Sequence, residues 1–140
     1  MNQAQIVYPV YVRDPDGRIA LVESQDDRWG GDIEPWYAME GLCTGWDSTG
    51  RTLRVVLDDE GIRLVGLSAV PDVRSLVYAL KEYARIKGVY DQLVESVGDQ
   101  LGAIEPAKLW ANILSLIESK PSWIDKILGR SRRGKKDVEP

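Results

Sequence analysis

The chain has 140 residues, of which 44% are hydrophobic and 29% charged, and its net charge is −4. This composition is too apolar for a disordered protein, and the length fits one domain. The absence of histidine and the single cysteine, Cys43, exclude His-dependent catalytic triads, the usual zinc sites and an internal disulfide. We therefore expect no cofactor, no metal site and no enzyme built on a metal or an activated nucleophile.

The first half of the chain is predicted to form about five antiparallel strands. β-branched and aromatic residues alternate with polar ones in segments separated by Gly-containing turns, of which residues 14–17 (Asp-Pro-Asp-Gly) are the clearest. Pro9 has no amide donor, so the first strand is expected at a sheet edge or bulged there. The predicted strands cover residues 5–13, 18–23, 42–47, 51–57 and 62–67.

The second half is predicted to be helical. Apolar residues recur at three- and four-residue spacing from Val73 to Lys87, and Pro106 occupies a first helical turn. The predicted helices cover residues 71–87, 89–97, 106–119 and 122–128. Strands followed by helices indicate an α+β fold, with an N-terminal antiparallel β-meander packed against C-terminal helices in a single domain over residues 1–128.

Charge is unevenly distributed along the sequence. Residues 1–125 hold 20 acidic and 12 basic side chains, a net charge of −8, which argues against nucleic-acid binding by this part. Residues 129–140 form a basic tail that is expected to be disordered. The N-terminus has no secretion signal, and no apolar run approaches the roughly 20 residues of a membrane span, so a cytoplasmic location is expected.

Residues 23–40 are the candidate functional segment. They carry six carboxylates against Arg28, a net charge of −5, with two tryptophans and a tyrosine interleaved. One interpretation is a connection whose aromatic rings fill the core; the other is a surface that binds a basic protein, since exposed aromatic residues anchor interfaces and carboxylates attract basic partners. The candidate partner-binding residues are Asp26, Asp27, Trp29, Asp32, Glu34, Trp36 and Tyr37.

Three functions are compatible with these features. The favoured one is a non-enzymatic protein-binding module of the immunity or inhibitor type, which neutralises a basic partner. The first alternative is a scaffold or membrane-peripheral component, with membrane-surface or RNA contact through residues 123–136, where apolar residues precede a basic run. The second is an enzyme acting on a small ligand or sugar through Asp32 and Glu34, which share a face if that stretch is extended. Cys43, with no histidine to activate it, is predicted to be a small buried apolar side chain.

Overall fold

Five strands form one antiparallel sheet in the computed structural model, which describes residues 5–119. They are β1 Val10–Arg13, β2 Ile19–Val22, β3 Cys43–Trp46, β4 Thr52–Asp58 and β5 Gly61–Val65. The α+β fold with five antiparallel strands is confirmed. The spatial order β2-β1-β3-β4-β5 departs from sequential order by one exchange, because β1 lies between β2 and β3.

The edge position expected for the first strand is wrong. Pro9 directly precedes β1, whose first residue is Val10, so the missing amide of Pro9 removes no hydrogen bond from the ladder. β1 therefore pairs on both sides, with β2 and with β3.

Of the four α-helices in residues 5–119, three follow the sheet, as the sequence predicts for residues 71–87, 89–97 and 106–119, and one lies between β2 and β3. The structure has α1 Pro35–Met39, α2 Val73–Ile86, α3 Tyr90–Val97, a 3-10 helix Gly98–Gly102 and α4 Pro106–Glu118. The Asp72 side chain accepts a hydrogen bond from the Ser75 amide at 3.2 Å, and α2 therefore begins at Val73. The helix predicted over residues 122–128 and the tail over 129–140 lie outside the described residues. Within residues 5–119, no helix is long and apolar enough to cross a membrane.

The sheet separates two hydrophobic cores. We call the face under α2, α3 and α4 the outer face and the face under α1 the inner face. On the outer face, Tyr11 and Trp46 pack with the buried sides of the three helices. On the inner face, Val12 and Val55 pack with Ala38 of α1. Strand side chains alternate between the faces, so one strand supplies both cores. Residues 23–42, between β2 and β3, contribute Ile33 and Ala38 to the inner core.

Two turns share one design built on a buried aspartate. The pattern Asp-x-x-Gly-Arg occurs at residues 14–18 and 47–51. In each turn the aspartate accepts hydrogen bonds from the amides two and four residues later, at 2.9 and 2.9 Å for Asp14 and at 2.9 and 3.1 Å for Asp47. Gly17 and Gly50 both have φ of 92°. Asp47 also accepts the Val7 amide at 3.1 Å, which holds the chain before β1 against the β3–β4 turn.

Candidate functional site

The acidic segment, defined as residues 23–40, lies over the inner face of the sheet. It leaves β2, passes Ala20 at Gly31, and ends in α1. A Cβ atom built on Gly31 would lie 2.9 Å from the Ala20 Cβ, so the close approach requires glycine there. Ile33 and Ala38 are buried, and they anchor the segment at two points. The segment is therefore partly core, and the sides of α1 that point away from the sheet remain available to a partner.

Two predicted site residues are engaged within the acidic segment itself. The Trp29 indole N–H donates to the Ile33 carbonyl at 2.9 Å, and the ring packs partly buried against the inner core. The Asp27 carboxylate accepts the Glu23 amide at 2.7 Å and the Arg28 amide at 2.9 Å. These bonds define the path of the chain before α1, so both side chains shape the segment.

Asp32 connects the acidic segment to α2. Its Oδ2 lies 2.6 Å from Lys87 Nζ and accepts a hydrogen bond from the Tyr83 hydroxyl at 3.3 Å. The Lys87 hydrogen bond lowers the pKa of Asp32, partial burial raises it, and the Lys87 charge and the Tyr83 bond lower it further. The pKa consequently lies below the ordinary value of 3.8. The Asp32 carboxylate is thus already bound by Tyr83 on α2 and by Lys87 at the C-terminal end of that helix.

Trp36 and Tyr37 form a stacked aromatic pair at the start of α1. Their ring centroids are 4.3 Å apart with an interplanar angle of 28°. Tyr37 is half-buried, and its hydroxyl donates to Asp16 at 2.7 Å. That hydrogen bond, followed by desolvation and the charges of Asp16 and Asp14, raises the pKa of Tyr37. Trp36 is 50% exposed, so a large aromatic surface faces solvent on a fixed backbone.

An apolar and acidic patch surrounds Trp36. Met39 is three residues further along α1, on the same side as Trp36, and is 62% exposed. Glu34 and Glu40 flank the helix and are exposed. We call these four residues, Glu34, Trp36, Met39 and Glu40, the α1 surface. It presents a flat tryptophan ring and a flexible methionine side chain between carboxylates, which is a composition typical of protein-binding surfaces.

The structure thus distributes the seven predicted residues among different roles. The start of α1 brings together Glu34, Trp36 and Tyr37. The side chains of Asp27, Trp29 and Asp32 instead bind other groups of the same chain. Asp26 is exposed. The pKa of Tyr8 is raised first by the burial of Tyr8 itself and second by the charge of Asp26.

Met39 and Asp16 were not identified as site residues from the sequence. The sequence does contain a signal for Met39: Pro35 after Glu34 marks the start of a helix, and a helix places Trp36 and Met39 on one side.

The Cys43 thiol is buried against the inner core, as predicted. Burial, with the negative charge of Asp14, raises the pKa of the Cys43 thiol to about 11. The thiolate that nucleophilic or redox chemistry requires is therefore strongly disfavoured near neutral pH. Within the part of the chain that the structure describes, no three Cys, Asp or Glu side chains converge in a way that would hold a metal ion.

Two surface grooves lie on the helical side of the molecule. One, of about 470 Å³, runs along Ser96, Ile104 and Lys108, and the other, of about 760 Å³, lies between α2 and the 3-10 helix. Neither groove is lined by a residue of the acidic segment. These two grooves are therefore separate from the candidate site, where exposed aromatic and acidic side chains suit a macromolecular partner better than a small ligand.

No protein-family model, no curated protein and no solved structure matches this chain.

Proposed function

We propose that this protein is a non-enzymatic binding module that recognises the basic surface of another protein, in the manner of an immunity or inhibitor protein. The single observation that carries the proposal is the half-exposed Trp36, stacked on Tyr37 and bordered by carboxylates. An aromatic ring that is already held in place loses little side-chain entropy on binding, which makes it an efficient anchor.

The net negative charge of this protein also favours a basic partner. The acidic segment has a net charge of −5, and residues 1–125 have a net charge of −8. Such a field attracts a positively charged protein and accelerates association, with an effect that weakens as salt screens it. Lys and Arg side chains of a partner can also contact the face of the Trp36 ring, where cation–π attraction adds to burial.

The enzymatic alternative has less support from the contacts of Asp32. A sugar hydrolase needs one carboxylic acid that keeps its proton near neutral pH. The pKa of Asp32 is lowered, so Asp32 is unsuited to donate a proton. Its Oδ2 is bound by Lys87 and Tyr83, so that oxygen is not free to act as the nucleophile or base either. The membrane-peripheral alternative depends on residues 123–136, which lie outside the described residues. Deletion of residues 129–140 separates it from our proposal, which expects partner binding to survive that deletion.

The proposal is tested by comparing Trp36→Ala with Tyr78→Ala as bait proteins in extract from the native cell. Tyr78 is an equally suitable exposed aromatic residue, 62% exposed, but it lies on α2. Mass spectrometry should identify a basic protein that the parent and Tyr78→Ala retain and Trp36→Ala loses. Rate constants measured with that purified protein should then show faster dissociation for Trp36→Ala, and slower, salt-sensitive association for the Glu34→Gln/Glu40→Gln double variant. Equal retention by Trp36→Ala and the parent would contradict the proposal.

A further inference from the structure

Within residues 5–119, the helices cover only half of the outer face of the sheet. α2, α3 and α4 pack over Tyr11, Ile19 and Trp46, which belong to β1, β2 and the end of β3. On the remaining half, Arg54 and Val65 are exposed, and they lie directly opposite each other on β4 and β5. This uncovered half lies on the opposite side of the sheet from the inner core that the acidic segment covers.

Two exposed arginines, Arg54 and Arg63, lie on the uncovered half, and Arg13 lies at its border, two strands from Arg54. Strand pairing aligns Arg13 with Thr44, Thr44 with Arg54, and Arg54 with Val65, so these side chains share the outer face. Arg63 lies two residues before Val65 and is therefore on the same face, diagonal to Arg54. Arg63 pairs with Asp58 at 3.0 Å, but the guanidinium groups of Arg13 and Arg54 form no ion pair or hydrogen bond with any of residues 5–119. An acidic protein thus presents a cluster of basic groups whose charge is only partly compensated.

The same half of the sheet ends in an open strand edge. β5 is the last strand in the sheet order, and its backbone hydrogen bonds within the described residues run to β4 alone. Its inner-face side chains, Ile62 and Leu64, are half-buried and leave apolar surface beside that edge. A strand edge carries unpaired N–H and C=O groups, which another extended chain can satisfy.

We propose that the β5 edge binds an extended segment of a partner protein in which acidic side chains alternate with apolar ones, so that the segment adds a sixth strand to the sheet. Side chains of an added strand alternate between the two faces. One set would meet Arg63 about 5 Å away and Arg54 one further strand spacing away, and carboxylates suit that set. The other set would cover Ile62 and Leu64, which requires apolar side chains.

This occupant fits the surface better than a nucleic acid does. The free N–H and C=O groups of β5 match a peptide backbone, whereas a phosphate chain offers no donors to pair with the carbonyls. This proposed surface is separate from the α1 surface, since the two share no residue and prefer partners of opposite charge.

The test uses the full-length protein and short peptides of seven residues. The probe alternates Glu with Val; the charge control alternates Lys with Val; two further peptides carry N-methyl groups on the amides of either the Glu or the Val residues. Binding is followed by the backbone amide signals of the isotopically labelled protein. The variant is Arg54→Gln/Arg63→Gln, and Arg74→Gln is its matched control, because Arg74 is an exposed arginine on α2. Both substitutions are on exposed side chains, and circular dichroism verifies the fold.

We expect the Glu peptide to shift the amide signals of Ile62 and Leu64, and the double variant to weaken binding about tenfold or more. Because an added strand uses the amides of every second residue, one of the two N-methylated peptides should lose binding and the other keep it. Trp36→Ala should leave this binding unchanged. The proposal is overturned if the Lys peptide binds equally well, if neither N-methylated set matters, or if the double variant binds like Arg74→Gln. A thymidine decamer that binds more tightly with the same arginine dependence, or a β5-mediated dimer that the peptide cannot displace, would also overturn it.

Discussion

Lys87 Nζ lies 2.6 Å from Asp32 Oδ2, and this ion pair joins the acidic segment to the C-terminal end of α2. Tyr83, one turn earlier on the same helix, donates its hydroxyl to the same oxygen. The two residues that meet at this ion pair are 55 positions apart in the sequence, so a segment that looks like a free loop is tied to the helical layer. Asp32 is three residues before Pro35, so this connection lies directly before the start of α1.

Replacement of Asp32 by Asn tests the connection. The ion pair is partly exposed, so we expect the free energy of unfolding to fall by about 0.5–1 kcal/mol near neutral pH. The pKa of Asp32 is lowered in the folded state, so this stabilisation is present above the ordinary value of 3.8 and is lost as the pH falls through the lower folded pKa. Urea unfolding of the parent and Asp32→Asn at about pH 7 and about pH 2.5 measures it. Glu34→Gln, an exposed change in the same segment, is the control, and equal stability of Asp32→Asn and parent at pH 7 would show that the ion pair contributes nothing.

The two Asp-x-x-Gly-Arg turns differ in their tolerance of alanine. Gly17 and Gly50 have the same φ of 92°, so alanine is strained by about 1–2 kcal/mol at either position. At Gly50 the new Cβ would also lie 2.7 Å from a Val73 methyl and 3.0 Å from the Val73 amide nitrogen, at the start of α2. At Gly17 it would meet only the terminal methyl of Ile86, at 2.8 Å, which can rotate away.

We therefore expect Gly50→Ala to reduce the free energy of unfolding by about 1–3 kcal/mol more than Gly17→Ala does. Gly66→Ala separates backbone strain from crowding, because Gly66 has φ of 73° and nothing within 4 Å of the added Cβ. Chemical denaturation of the three variants gives the comparison. Identical losses at Gly17 and Gly50 would mean that the contact between the second turn and α2 is loose.

Truncation of two tryptophans is expected to change the free energy of unfolding by very different amounts. Trp46 is 7% exposed, and its indole N–H donates to the Ser75 hydroxyl at 2.8 Å, which links β3 to α2. Trp46→Ala should lower the free energy of unfolding by about 3–5 kcal/mol. Trp36→Ala removes a half-exposed ring and should stay within about 1 kcal/mol of the parent. Thermal unfolding distinguishes them, and loss of the fold in Trp36→Ala would assign that ring to the core and remove the basis of the α1 surface.

Cys43 provides a probe of inner-core opening. The buried thiol, whose pKa is raised to about 11, should react with a disulfide reagent at about pH 8 only when the inner core opens. We expect the reaction to be slow without denaturant and to accelerate through the urea unfolding transition. Asp32→Asn should speed it only as much as it lowers overall stability. Rapid stoichiometric reaction in the native protein would contradict the burial of this side chain.

Local patterns in the sequence were sufficient to predict most of the secondary structure. Period-two alternation across residues 51–57 identified β4, and three- and four-residue spacing after Pro71 identified α2, because both patterns report which side chains a single element buries. The burial of Cys43 followed from its apolar neighbours and the lack of a histidine to activate it. By contrast, α1 escaped prediction, since a helix of five residues is too short to show a periodic pattern.

The sequence by itself determined the fold class, the sign of the charge on the acidic segment and the presence of aromatic residues within it. Only the tertiary structure decided which of these groups face solvent. Asp32 forms an ion pair with Lys87, which is distant in the sequence, the Trp29 indole donates to the Ile33 carbonyl, and Trp36 remains half-exposed. The packing of the segment against the sheet and α2 decides these outcomes. The same holds for β1, whose interior position depends on its pairing with β3, more than 30 residues later. Arg54 and Arg63 share the outer face through the β4–β5 hairpin, whereas Arg13 joins that face through the long-range pairing of β1 with β3.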